Sequence, residues 1–219
     1  MTDNIDPTIA AARRAMAAAK ERMATLDDAA LDLILREARS MNGFVDGPVD
    51  DDQLRRIYDL MKMGPTSGNC SPARILFLRS PHEMERLRPA LAAGNVDKTM
   101  TAAVVAIVGH DVEYWRHFGR LFPHRAEEMT KRHGGDPAFA ETTAFRNGTL
   151  QGAYLMIAAR AIGLDCGAMS GFDNSLVDRT FFAGTTIKSN FLVTLGRGDR
   201  SKILGRLARL EFDEVCRIL

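Results

Sequence analysis

Apolar residues spaced alternately four and three apart open the chain: Ile5, Ile9, Ala12, Met16, Ala19, Met23 and Leu26 line one stripe of a helix within residues 1–27. Pro7 falls where a first helical turn tolerates it, and large side chains are few, so a docked surface helix is expected rather than a coiled coil. A second helix is expected from Asp27-Asp28, with Leu31, Ile34, Leu35 and Ala38 inward and Gly43 as its C-cap. A third covers residues 50–63 on Leu54, Ile57, Tyr58 and Met61, until Gly64-Pro65 stops it. The apolar run 73–78 reads as a strand, 81–93 as a helix, 94–98 as a polar break and the β-branched run 102–108 as a buried strand.

From 111 to 137 the pattern loosens into short helices and a flexible excursion of the kind that forms a lid. Residues 145–162 are apolar nearly all round, which predicts a helix in a core or a dimer interface, ended by Gly163. A short strand and a Gly-rich turn follow at 165–173, where Asp173 can cap the next helix. Residues 191–195 read as the last strand, before a basic tail carrying Arg206 and Arg209.

The organising stretch is Gly64-Pro65-Thr66-Ser67-Gly68-Asn69-Cys70-Ser71-Pro72, between a helix and a strand. Two prolines fix φ and two glycines permit positive φ, so a shaped turn is expected there. Its short polar side chains and backbone N–H groups left without secondary-structure partners suit a planar, polar ligand; a self-satisfied connection is the alternative.

Composition narrows the field. Hydrophobic residues make up 46% and charged residues 26% of 219, which fits a globular protein with a sizeable core and favours one main domain. A formal net charge of +1 gives no electrostatic footprint for nucleic acid or a membrane surface. Cys70, Cys166 and Cys216 are odd in number and far apart, so neither a disulfide framework nor a zinc site is expected, and a reducing, cytoplasmic setting fits. Cys70 reads as a packed small residue, since no histidine is placed by the sequence to activate it. Of His110, His117, His124 and His133, the first two lack the close spacing of a helical ligand pair, so solvated or capping histidines are expected rather than a metal site. No apolar run reaches the length of a membrane span. G-x-G-x-x-G after a strand, a Walker loop, H-E-x-x-H and G-x-S-x-G are all missing.

The remaining pieces occur in a recognisable order: Arg39-Ser40-x-Asn42, Pro65-Thr66-Ser67-x-Asn69-x-x-Pro72, Asn95-x-x-Lys98, Met169-Ser170-Gly171-Phe172-Asp173 and Arg206-x-x-Arg209. Together they resemble the nitroreductase superfamily of FMN-dependent oxidoreductases. Leu121-Phe122-Pro123-His124 and Thr143-Ala144-Phe145-Arg146-Asn147 further resemble its branch of malonic semialdehyde reductases of pyrimidine degradation. The resemblance implies an α+β fold, with a mainly antiparallel central sheet flanked by helices. It also implies an intertwined homodimer with FMN at the interface, a C-terminal arm reaching the partner, and a division into a helical extension at 1–27 and a catalytic domain at 28–219.

By the same resemblance Arg39 and Arg209 hold the FMN phosphate, with Arg206 nearby and Ser40 and Asn42 beside it. Asn95 reads the polar edge of the ring system, and Lys98 sits where reduction places negative charge. The backbone of Ser170 and Gly171 approaches flavin N5, while Pro65, Thr66, Ser67 and Asn69 pack along the ring. Many relatives carry a second basic residue in place of Asn42 and an acidic one in place of Ser170. NADH or NADPH is the implied reductant, in a ping-pong exchange. A short semialdehyde is the implied second substrate, with Arg125, Arg132 or Arg146 for its carboxylate and His124 as a proton donor. A broad nitroaromatic or quinone reductase, or a flavin-binding protein without turnover, would carry the same motifs.

Overall fold

The computed structural model describes residues 6–23 and 25–219. It divides into two compact units, Met1–Glu37 and Ala38–Leu219. In the first, α1 (Pro7–Arg22) starts where the Asp6 carboxylate accepts the Thr8 N–H at 2.7 Å, with Pro7 in the first turn. Its stripe stays open to solvent: Ile9 and Met16 are exposed, as is Met23 just beyond, and Ile5 lies outside the described residues. The next helix, α2 (Asp28–Leu31), widens into a π-turn at Asp32–Arg36, where Glu37 N–H reaches Asp32 O at 2.9 Å. This i→i+5 spacing turns residues off the 3.6-residue stripe. Leu35, expected inward, is therefore exposed, and the helix ends before Arg39.

The second unit is built on a five-stranded sheet. Its strands are β1 (Phe44–Val45), β2 (Ala73–Leu78), β3 (Val104–Asp111), β4 (Asp165–Met169) and β5 (Ile187–Gly198). β5 lies at its centre. It runs antiparallel to β3 from Val104↔Leu195 to Asp111↔Ile187, and β2 runs antiparallel to β3 outside it. On its other side β5 takes β4, from Asp165↔Gly196 to Met169↔Leu192, and then β1. Among the described residues the one parallel pairing is an isolated bridge, Ser40↔Cys166. The sheet is thus mainly antiparallel and flanked by helices, as the motifs implied.

Strand alternation sorts the core into two layers. Val104, Ala106 and Val108 of β3 pack with Ile57 and Met61 of α3 (Asp51–Met61) and with Leu155, Ala158 and Ala159 of α8 (Pro137–Ala161). Val105 and Ile107 face the other way, toward Leu87 of α4 (Pro81–Leu87) and Val177 of α9 (Asn174–Phe181). Helix α4 stops well short of residue 93 because Pro89 cannot supply an interior N–H; two 3-10 turns continue the path. The expected polar break at 94–98 instead contains α5 (Val96–Met100). Helix α8 (Pro137–Ala161) begins well before residue 145, because Asp136 caps it through the Phe139 N–H at 3.0 Å.

The excursion contains α6 (Phe118–Leu121) and α7 (Ala126–Gly134). It has its own small core, in which Tyr114, Phe118 and Met129 surround Cys70 of the 64–72 stretch. After β5 the chain runs out through an exposed tail holding α10 (Phe212–Val215). Among the described residues no helix is long and apolar enough to cross a membrane, and no cluster of His, Cys, Asp and Glu could hold a metal ion.

Two buried histidines make the fold sensitive to mild acid. His133 Nδ1 and the Tyr114 hydroxyl share a hydrogen bond of 2.5 Å among the rings of Phe118 and Phe139, and His110 lies under Phe145. Burial lowers both imidazoles below their ordinary 6.5. The unfolded chain therefore binds protons that the folded chain resists. The stabilisation is complete above about pH 6.5 and is lost as pH falls from there through the lowered values. The melting temperature is expected to drop between pH 7.5 and 5.5, and His133→Gln should flatten that slope. An unchanged slope would remove His133 from the acid response.

Candidate functional site

β4 delivers the chain into Ser170-Gly171, and two groups close on the Gly171 carbonyl. Asn95 Nδ2 donates to it at 2.8 Å and the Ala92 N–H at 3.0 Å. A Cβ on Gly171 would lie 2.6 Å from Asn95 Nδ2, so only glycine permits this approach. Asn95 is braced from behind, since buried Thr99 donates its hydroxyl to the Asn95 carbonyl at 2.7 Å. The donor end of the Asn95 amide is committed to Gly171, which aims its Oδ1 as an acceptor.

The Arg39–Asn42 segment runs beside the same strand. Ser40 bridges Cys166, the Met41 N–H donates to the Cys166 carbonyl at 3.2 Å, and Asn42 Nδ2 reaches Lys202 O at 3.4 Å. Lys202 lays its aliphatic stem against Gly43, where an added Cβ would meet Cδ at 2.5 Å. Three motifs far apart in sequence thus gather along the β4 edge. The side chains of Arg39 and Lys98 make no hydrogen bond or ion pair among the described residues, so both cations remain available to an anion. Arg206 and Arg209 lie on the exposed tail, and Arg209 Nη1 donates only to the neighbouring carbonyls of Leu207 and Ala208.

The Pro65–Asn69 loop forms a second cluster, resting on α8. The Tyr154 hydroxyl donates to Pro65 O at 3.1 Å, and the Ser67 N–H donates to Asn147 Oδ1 at 2.8 Å. Asn147 Nδ2 in turn donates to Thr143 O, and the Ala73 N–H donates to Gln151 Oε1, both at 2.8 Å. Three of the loop's other N–H groups turn inward: Asn69 to Thr66 O, Cys70 to Ser67 O and Ser71 to Thr66 Oγ1. A loop rich in free backbone donors was expected, but a left-handed path at Gly68 (φ 55°), Asn69 (51°) and Ser71 (40°) satisfies most of them internally. The loop presents shape and side chains instead.

Beside it lies a cavity of about 450 Å³ lined by Pro65, Thr66, Ser67, Arg146, Leu150 and Tyr154. Arg146 is exposed and its side chain makes no hydrogen bond or ion pair among the described residues. The other candidate cations are engaged elsewhere. Arg125 pairs with Glu128, and Arg132 covers the Phe139 ring at 5.0 Å. His124 is exposed, its ring 4.1 Å from that of Phe122. Cys70 is fully buried and its thiol is pushed up to about 11, chiefly by burial, so it is no nucleophile.

Sequence reading missed four residues here: Asn147, Gln151, Tyr154 and Lys202. A signal existed for two of them. Thr143, Asn147 and Gln151 recur every fourth residue, which marks a polar seam inside an otherwise apolar helix.

Known proteins agree with this architecture. A family model described as Nitroreductase family matches residues 35–197. The chain belongs to the nitroreductase family. A protein of Cupriavidus pinatubonensis carrying the name NADH dehydrogenase/NAD(P)H nitroreductase is 56% identical over 189 residues, covering 86% of this chain and 96% of that protein. One of Ralstonia pickettii with the same name and the label HadB is 58% identical over 181 residues, covering 82% and 92%. A nitroreductase of Exiguobacterium sibiricum solved in complex with FMN shares the fold at 16% identity, with a TM-score of 0.77, over 90% of this chain and 99% of that one.

Proposed function

We propose that this nitroreductase-family protein is an FMN-dependent NAD(P)H oxidoreductase, active as a homodimer, that reduces malonic semialdehyde to 3-hydroxypropionate in pyrimidine degradation. The convergence of Asn95 on Gly171 carries the cofactor reading. It sets an amide acceptor and a side-chain-free backbone beside each other, which suits the edge and face of a planar polar ring. Arg39 and Lys98, both uncommitted, suit a phosphate and an electron-rich ring edge. Bound FMN would accept a hydride from NADH or NADPH and pass it to the second substrate.

The protein's own residues then bind and orient. Arg39, Ser40, Asn42 and Arg209, with Arg206, hold the phosphate end; Asn95 and Gly171 fix the ring edge; Lys98 offsets negative charge. The Pro65–Asn69 loop and the Arg39–Gly171 side are built on different elements, and a second copy of the chain would bring one against the other. Arg146, open in the loop-side cavity, is the cation for a substrate carboxylate. His124 and water are the available proton sources for the nascent alkoxide. A broad nitroaromatic or quinone reductase is the second reading, favoured by the names of the Cupriavidus and Ralstonia relatives.

The deciding experiment is an anaerobic absorption spectrum of the FMN-loaded protein. NADPH or NADH should bleach the flavin bands, and malonic semialdehyde should restore them. Bleaching restored by a quinone or nitroarene but not by the semialdehyde would select the second reading. A colourless protein that takes up no FMN would end both. Arg146→Ala should raise KM for the semialdehyde about tenfold, the scale of one lost charge-assisted contact, while sparing a neutral quinone. Equal losses on both substrates would remove Arg146 from carboxylate binding.

A further inference from the structure

The 64–72 stretch has two sides, and its left-handed turn joins them. Pro65, Thr66 and Ser67 line the cavity of about 450 Å³ on one side. Gly68, Asn69 and Cys70 all meet the excursion on the other. Asn69 Nδ2 donates to Leu121 O at 2.9 Å, across 52 positions of sequence. Leu121 ends α6, so its carbonyl is one that a helix terminus leaves for an outside donor. Gly68 runs so close to α7 that an added Cβ would stand 3.0 Å from Met129 Cε. Cys70 is buried with Tyr114, Phe118 and Met129.

Two of these three contacts are apolar packing, and only the Asn69 bond is directional. It forms at φ 51°, a left-handed backbone that asparagine adopts more readily than most residues with a side chain. The Asn69 amide is thus spent on the excursion rather than on the cavity side of the loop. The excursion also reaches the cavity by a second path. Phe139 is part of the cavity wall, and α7 packs on it through the His133 ring, 4.9 Å away, and the Arg132 guanidinium, 5.0 Å away. A shift of α6 and α7 would therefore move the wall at Phe139 and at the 65–67 turn together.

We propose that Asn69 is a positioning residue that sets substrate size: its bond to Leu121 pins the excursion to the loop and holds the cavity narrow, so that short acceptors are preferred to flat polycyclic ones. The link to substrate choice rests on the oxidoreductase reading; the pinning does not. The bond lies within one chain, so it is the same whether or not a second copy covers the loop. Without it, packing at Met129 and Cys70 alone joins the two segments, and the cavity wall can give way to a larger acceptor.

Two variants test this in the FMN-saturated full chain. Asn69→Gly keeps the left-handed turn and removes the donor, whereas Asn69→Asp keeps size and turn but sets a carboxylate against the Leu121 carbonyl. Amide hydrogen exchange across residues 118–134 should quicken about tenfold in both, the scale of one lost hydrogen bond, while β3 keeps its wild-type protection. The ratio of kcat/KM for a naphthoquinone to that for malonic semialdehyde should rise about tenfold, through KM rather than kcat. FMN affinity should stay at the wild-type value, because the side chain faces the excursion. Wild-type exchange in both variants overturns the pinning, and weakened FMN binding with unchanged exchange makes Asn69 a flavin contact instead. Faster exchange with an unchanged ratio, or with equal losses on both acceptors, overturns the role in substrate size. If exchange follows Asn69 in a protein whose flavin no nicotinamide bleaches, the oxidoreductase reading fails and the pinning stands.

Discussion

Gly171→Ala is expected to strip FMN from the protein while leaving the fold nearly as stable as before. The added Cβ would meet Asn95 Nδ2 at 2.6 Å, but its next neighbour, the Ala92 Cβ, lies at an ordinary 3.5 Å. The atom that must yield is therefore the tip of a flexible side chain rather than backbone. Asn95 swings away, its bond to the Gly171 carbonyl breaks, and the Ala92 N–H still satisfies that carbonyl. The stability change should stay within about 1 kcal/mol, as for a substitution that opens no cavity and strands no buried group. Losing an aimed amide and a close backbone approach should weaken FMN about tenfold to a hundredfold, the range for one or two polar contacts of about 1–3 kcal/mol. Fluorescence titration of apoprotein with FMN measures this directly, with Asn95→Ala in parallel. Wild-type affinity in both variants would place the flavin elsewhere.

What the sequence made legible follows from which forces are local. The apolar strand runs, the Asp173 cap and the Gly64-Pro65 stop are set by neighbours in the chain, and the structure keeps them. Misreadings came where a local signal was outweighed or overlooked. A π-turn rotates Leu35 outward, Pro89 cuts α4 short, and the Asp136 cap starts α8 ahead of its apolar run. The candidate site divides in the same way. Motif order pointed to Arg39, Asn95, Lys98 and Gly171, yet nothing in spacing tells that Asn95 bonds Gly171 across 76 positions. Conversely, an inventory of cations in the excursion could not show that Arg125 is already paired to Glu128 while Arg146 stands open. The partners of Asn147 and Gln151 were equally invisible, because a four-residue recurrence marks a polar seam in the helix but not which N–H groups wait there.

Asn147→Leu carries the second large effect. Asn147 is 3% exposed and uses both ends of its amide, accepting from the Ser67 N–H and donating to Thr143 O. Leucine is close in size but leaves the Ser67 N–H without its acceptor. A stranded group of this kind costs about 1–3 kcal/mol. At about 2–4 °C per kcal/mol for a chain this long, the melting temperature should fall by roughly 2–12 °C. Gln151→Leu makes an informative companion, because Gln151 is equally buried and takes the Ala73 N–H at the start of β2 rather than a loop N–H. If the Pro65–Asn69 loop lines the flavin, the two variants should lose similar stability but differ in function. Asn147→Leu should lower FMN affinity and kcat several-fold, and Gln151→Leu should not. Parallel losses in both would mean that FMN responds to stability in general, and the loop would then be scaffolding rather than part of the site. Asn147→Asp sharpens the comparison. It keeps the acceptor for Ser67 but sets an anion against the Thr143 carbonyl, so loop geometry should survive at a reduced melting temperature. FMN affinity near wild type in that less stable protein would tie cofactor binding to the Ser67–Asn147 bond itself.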